Sequence, residues 1–182
     1  MSTITYEEVL SLFQETDRRF KETDRRFKET DRQIKELGRQ IGGLGDKFGY
    51  FTEGMALPSM ERILTEQFGM TFIMPRVRIR KNSEEIQIDV LAYANADINR
   101  AVVVEVKSRV KMEAIRQLQN IMERFRELYP EHENKEIIGI LAGVDWDWGV
   151  AEKTREVGFL TASIRDEIFQ LTAPEGFHAR KW

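Results

Sequence analysis

The hydrophobic positions of the chain change their period near residue 58. Before it, apolar side chains recur every seven residues. With Phe13 at heptad position a, the same position holds Phe20, Phe27, Ile34, Ile41 and Phe48, and position d holds Thr16, Thr23, Thr30, Leu37 and Leu44. A sustained seven-residue seam predicts a left-handed coiled coil. Asp17, Asp24 and Asp31 fall at e, and Arg19 and Arg26 at g, so in a parallel pair Arg19 would meet the partner's Asp24. Such exposed pairs contribute at most ~1 kcal/mol each and select partners more than they stabilise. Threonine at d packs poorly, which weakens the first half of the seam. A single amphipathic helix folded back on its own domain is the alternative; the regularity of the seam favours self-association as a dimer or higher oligomer. Gly42, Gly43, Gly45, Gly49 and Gly54 then invade the pattern. They predict a loosened hinge or a close approach of another element. Pro58 is expected to end or kink the helix.

From Ser59 the periods are those of a globular domain. Met60, Ile63, Leu64 and Phe68 share one helical face, with Pro58 near the start and Gly69 as a stop. "FIMPRVRIRK" alternates, with Arg76, Arg78 and Arg80 on one side and Val77 and Ile79 on the other. "EIQIDVLAYA" and "AVVVEVKSRV" are β-branched and strand-like, joined by the turn-rich "NADIN". The stretch 111–130 is helical, with Ile115, Leu118, Ile121, Met122, Phe125 and Leu128 inward and Pro130 closing it. "EIIGILAGV" is apolar throughout, as in a strand buried on both faces. "WGVAEKTREVG" is a helix, and "FLTASI" and "EIFQLT" are two short strands. The order is helix, three-stranded meander, helix, strand, helix, strand and a small edge strand. It predicts an α/β domain with a mixed sheet covered by helices, over residues 50–182, carrying a helical coiled-coil stalk over 1–49.

Composition narrows the class. The 182 residues suit one domain plus an appendage, and 41% hydrophobic residues suffice for a core. Twenty-eight Lys and Arg against 31 Asp and Glu give a net charge of −3, so any nucleic-acid-binding surface must be local. The absence of cysteine excludes disulfides and thiolate metal sites. No apolar run is long enough to span a membrane, and the start lacks a signal-peptide pattern, so a cytoplasmic protein is expected.

The chemistry lies in the hairpin. Asp89 sits between apolar Ile88 and Val90, and Glu105 inside "VVVEVK". Acids inside strands are disfavoured, and buried ones are costly unless compensated. A symmetric "NADIN" hairpin pairs Ala94 with Arg100 and, five residues further, Asp89 with Glu105 on one face, with Cβ atoms ~5 Å apart. Lys107, two residues beyond Glu105, shares its face. Two opposed carboxylates repel, and a divalent cation turns that liability into a site. Mg²⁺ (or Mn²⁺) held by Asp89 and Glu105, with Lys107 to orient or deprotonate water and offset developing charge, is a phosphoryl-transfer constellation. A salt-bridged sheet face is the bland alternative; the apolar flanks, the register and the E-x-K spacing argue against it.

"IDVLAYA…VVVEVKS" followed by an amphipathic helix resembles the PD-(D/E)XK nuclease superfamily, over roughly residues 51–164. The resemblance implies a restriction-endonuclease-like core, with Asp89 as the D, Glu105 as the D/E and Lys107 as the K. Ile88 stands where the family's name has proline. With "FTEG", "VVEVKS" and "GFHARKW", the whole chain is similar to a group of uncharacterised prokaryotic members that carry an N-terminal coiled coil. Many members add a glutamate from the helix before the sheet; Glu53 is preferred here and Glu61 is the alternative. Some place a glutamine on the following helix, where Gln117 comes first and Gln119 second. The implied function is a Mg²⁺-dependent endonuclease acting on DNA. The alternative is a nucleic-acid-binding or scaffold protein that keeps the fold without turnover.

A nuclease must hold its substrate. Arg76, Arg78, Arg80 and Lys81 form one candidate stripe, and Arg109 and Lys111 lie along the site. An ordinary solvent face of an edge strand accounts for the arginines equally well. Of Trp146, Trp148 and Trp182, which could stack on bases, the first two are expected in packing roles. His132 and His178 show no metal-ligand spacing.

Overall fold

The computed structural model describes residues 5–166 and 168–182, without the side chains at 39 and 41–46. It divides into two compact units, one ending at Lys47 and one running from Phe48 to Trp182.

Helix α1 spans Tyr6–Glu66. In the first unit its charged faces are stitched by pairs four residues apart: Glu15–Arg19, Asp17–Lys21, Glu22–Arg26, Asp24–Lys28 and Asp31–Lys35, at 2.5–2.8 Å. The acids expected to reach a partner are thus engaged within their own helix, with Arg19 on Glu15 and Asp24 on Lys28. Phe13, Phe20 and Phe27 are each 71% exposed, a continuous uncovered stripe. The seam positions Ile41 and Leu44, and the side-chain surroundings of Gly42, Gly43 and Gly45, lie outside the described residues.

Two local expectations are corrected. α1 runs on through Pro58, which neither ends it nor starts a new helix. A proline's ring clashes with the carbonyl four residues back and leaves that carbonyl unbonded. Here buried Ala56, Met60, Ile63 and Leu64 hold the helix on either side of Pro58. Nor do Gly49 and Gly54 serve a close approach, since both face open space. The stop falls at Gly69, whose φ of +67° and the Met70 N–H to Leu64 carbonyl bond close the helix.

In the second unit β1 (Phe72–Lys81), β2 (Glu84–Ala94) and β3 (Arg100–Val110) form an antiparallel meander. α2 (Met112–Leu128) crosses over to β4 (Glu136–Trp146), parallel to β3. α3 (Val150–Val157) leads to parallel β5 (Leu160–Arg165), and antiparallel β6 (Ile168–Leu171) closes the edge. The six strands lie in sequence order. This is the expected mixed α/β core of helix, meander, helix and strand; Glu167, read as the start of the last strand, lies outside the described residues.

The sheet has a core on each face. On one, Ala56, Met60, Ile63 and Leu64 of α1 cluster with Val90, Ala92, Val102, Val104 and Ile140. On the other, Ile115, Leu118, Met122 and Phe125 of α2 cluster with Ile88, Leu91, Val103, Ile137 and Leu141. β3 and β4 are therefore apolar on both faces, and a charged residue on either is an exception to explain. Among the described residues no helix is long and apolar enough to cross a membrane.

Candidate active site

The site lies where β2 and β3 part. They pair from Ala94–Arg100 to Val90–Val104, one step short of Asp89 and Glu105. Beyond that point β2 pairs with β1, and β3 with β4. The expected facing pair is therefore modified. Asp89 Oδ2 accepts the backbone N–H of Val106 at 2.7 Å, so a carboxylate stands in for the missing ladder partner.

Glu105 is 1% exposed. Its neighbours Val102, Val104 and Val106 pack toward α1, and Ala101 and Val103 toward α2. Alternation sends Glu105 toward α2. There its Oε1 accepts two hydrogen bonds, from Lys107 Nζ at 2.5 Å and from Gln117 Nε2 of α2 at 2.8 Å. Its Oε2 is buried and has no partner.

The electrostatics follow from two buried acids sharing one ammonium. Burial, then the charge of Asp89, pushes the Glu105 carboxyl up to about 7, against the pull of Lys107. Burial also raises Asp89, opposed by the Val106 N–H and by Lys107. Burial works against the charge of Lys107, but Glu105, Asp89 and Glu53 outweigh it and hold the amine above its ordinary value. Lys107 is thus a charged donor in the resting protein rather than a base.

The α1 side supplies a small cleft of about 80 Å³, lined by Glu53, Gly54, Leu57, Pro75, Arg76, Asp89 and Val90. Glu53 pairs with Arg76, Nε to Oε2 at 3.3 Å. Glu61, the alternative acid, is exposed and does not line this cleft. Gln117 rather than Gln119 is the glutamine that reaches Glu105.

The basic stripe divides. Arg78 and Arg80 both pair with Glu85, and Lys81 Nζ donates to the Glu127 carbonyl. Arg109 is held by Asp147 at 2.7 Å and faces Asp145 at 3.8 Å. Lys111 is the exposed N-cap of α2. The three arginines of β1 stand opposite Val77 and Ile79 as alternation predicts, and of the stripe Arg76 is the one that lines the cleft. Trp148 is 100% exposed, against the packing role expected of it, because it sits in the turn between β4 and α3. Trp146 packs against the α2-side core, and Trp182 stacks on Phe159 at 5.1 Å. His132 is buried among Tyr93, Phe125 and Tyr129, an aromatic cluster with no metal ligand in it.

A divalent cation fits the donor set in one respect that the protein alone leaves unexplained. Glu105 Oε2 is a buried carboxyl oxygen with no hydrogen-bond partner, beside a second buried acid. Buried polar atoms are rarely left so. Among the described residues no group of three or more His, Cys, Asp and Glu could enclose a metal. Two carboxylates with the remaining positions left to water and phosphate is the mode of Mg²⁺, not of a caged structural ion.

Comparison with known proteins adds the following. The model of a family described as a protein of unknown function (DUF3782) matches residues 8–81, a span that ends before Asp89. No curated protein matches. The solved structure of an EndoMS–dsDNA2 complex is 22% identical, with a TM-score of 0.36, over 61% of this chain and 45% of that one. A repair endonuclease from Pyrococcus abyssi is 19% identical, with a TM-score of 0.39, over 59% of this chain and 46% of that one. The chain spans less than half the length of either.

Proposed function

We propose that the protein is a divalent-cation-dependent endonuclease that hydrolyses phosphodiester bonds of DNA, with its copies joined through the N-terminal heptad seam. The observation that carries this reading is the unpartnered, buried Oε2 of Glu105 beside Asp89 and Lys107. A protein that used these acids only for structure would gain nothing from burying a carboxyl oxygen with no partner.

In this reading Asp89 and Glu105 hold Mg²⁺ or Mn²⁺, which supplies charge to polarise a phosphoryl oxygen and to acidify an attacking water. The residues of the chain do the rest. Val106 N–H fixes the Asp89 carboxylate by one oxygen and leaves the other for a ligand. Gln117 donates to Oε1 of Glu105, which fixes the carboxyl group while Oε2 has no protein partner. Lys107 keeps its proton and, from beside Glu105, offsets charge that builds on the phosphoryl oxygens. Glu53 adds negative charge at the cleft, balanced by Arg76.

The test is hydrolysis of labelled single-stranded, duplex and branched DNA and of RNA, with Mg²⁺, Mn²⁺ or EDTA. Internal cuts in DNA, present with metal and absent with EDTA, are expected. A panel left intact with every metal would favour the non-catalytic, nucleic-acid-binding reading.

A further inference from the structure

Arg76 lies in the middle of β1 with φ at +52°, in the left-handed region that a side chain rarely adopts. No residue has been inserted there: Pro75 pairs with Val90 and Val77 with Ile88, in one unbroken register. The pairing skips only Arg76 and Asp89. On both strands the alternation of side chains fails at this step. Met74 and Val77 both pack toward α2, though an odd spacing should send them to opposite faces. Ile88 and Leu91 do the same on β2. In consequence two consecutive residues of each strand, Pro75 with Arg76 and Asp89 with Val90, line the same cleft on the α1 side.

The break in phase falls between Met74 and Val77, and Arg76, at the strained step, stands opposite Val77 and Ile79. Its guanidinium lies on the α1 side, where it takes Glu53 at 3.3 Å and lies 5.5 Å from the ring centroid of Tyr50. Strain of this kind persists where the surroundings enforce it, and it gathers at functional sites. The Glu53 contact is through Nε alone and is long, so much of the fork of donors remains free. Arg78 and Arg80, on unstrained backbone two and four residues on, are both spent on Glu85.

We propose that Arg76 is the phosphate-binding residue of this site: the left-handed kink at its α-carbon exists to aim a guanidinium at a backbone phosphate presented to Asp89. Glu53 and Tyr50 hold the side chain ready, and the phosphate replaces Glu53 as its anionic partner. The planar fork suits two phosphate oxygens as a lysine ammonium does not. This inference rests on the nuclease reading for the nature of the ligand, but it concerns binding and not turnover.

The experiment is binding of a fluorescent DNA duplex and of a fluorescent single strand to the full-length protein, with Ca²⁺ and, separately, with EDTA. Arg76→Gln removes the charge and keeps the backbone. Arg76→Lys keeps the charge and loses the fork. Arg80→Gln removes an equal charge from the same strand at a guanidinium already held by Glu85. Affinity is expected to fall about tenfold in Arg76→Gln and by an intermediate factor in Arg76→Lys, and less than about twofold in Arg80→Gln. Equal losses in Arg76→Gln and Arg80→Gln, wild-type binding by Arg76→Gln, or no binding by the wild-type protein would each overturn the proposal. Arg76-dependent binding without cleavage would sustain it while the nuclease reading fell. Cleavage with unchanged KM and binding in Arg76→Gln would do the reverse.

Discussion

Asp89 Oδ2 accepts the Val106 N–H at 2.7 Å across the fork of β2 and β3. The bond gives the acid a structural duty that does not need its charge. An amide oxygen can accept the same bond, whereas a methyl group cannot. Asp89→Asn should therefore leave metal-free stability unchanged or raise it, since one of two neighbouring buried negative charges is gone. Asp89→Ala should cost about 1–3 kcal/mol, the penalty of an orphaned buried N–H. Urea unfolding of both variants in EDTA gives the comparison. A large loss in Asp89→Asn would mean that the charge itself is a structural ion-pair partner.

The Glu105 carboxyl, pushed up to about 7, links stability to pH. The folded protein binds this proton more tightly than the unfolded chain, whose ordinary value is 4.5. Its contribution is therefore complete below about pH 4.5 and is lost as pH rises through about 7. Unfolding free energies in EDTA should fall across that window by a few kcal/mol at most, and Glu105→Gln should flatten the slope. Mg²⁺ at a hundred times its Kd should restore ~2.7 kcal/mol at pH 8, because it binds the ionised pair. An unchanged melting temperature with Mg²⁺ at pH 8 would count against a cation at this pair.

Lys107 and Gln117 share one oxygen of Glu105 but differ in charge. Lys107→Ala should spare or strengthen divalent-ion binding, since a competing ammonium has left, and should lower kcat by about a hundredfold or more. Gln117→Ala should cost less, as it only orients the carboxylate. Calorimetric Mg²⁺ titration beside single-turnover rates separates the two roles. Loss of metal binding in Lys107→Ala would contradict the assignment.

Phe20 and Phe27 expose a seam that a single chain leaves uncovered within its first unit. Light scattering of the full chain at micromolar concentration should give a dimer or higher oligomer. Phe20→Glu with Phe27→Glu should give a monomer with the domain's circular dichroism intact. A monomeric wild type would remove the coiled coil from the account.

The strands and the crossover helix were legible in the chain because burial imposes a period, and the period survives in the order of Val103, Val104, Leu118 and Ile121. The hairpin register was legible as well, since "NADIN" fixes it from Ala94–Arg100 onward. It carried the position of the acids to within one step, but not the fork, because pairing beyond Val90–Val104 is a matter of tertiary geometry. The helix through Pro58 was hidden for a different reason: propensity describes proline alone, while the packing of Ala56, Met60 and Leu64 that carries the helix past it comes from its place in the fold. Alternation set Arg76 with Arg78 and Arg80 opposite Val77 and Ile79, but no sequence signal marks the backbone kink at Arg76 that breaks the phase with Met74.

The central claim is that Glu105 and Asp89 hold the cation on which phosphodiester cleavage depends. The most direct measurement is the single-turnover rate on the best-cleaved labelled DNA, in Mg²⁺ and in EDTA, for the wild type and Glu105→Gln. Glutamine keeps the shape and an acceptor for Lys107 and removes the anionic charge. The wild type should cut only with Mg²⁺, and Glu105→Gln should be slower by at least about a hundredfold. Cleavage that persists in EDTA, or that survives Glu105→Gln at the wild-type rate, would contradict the account.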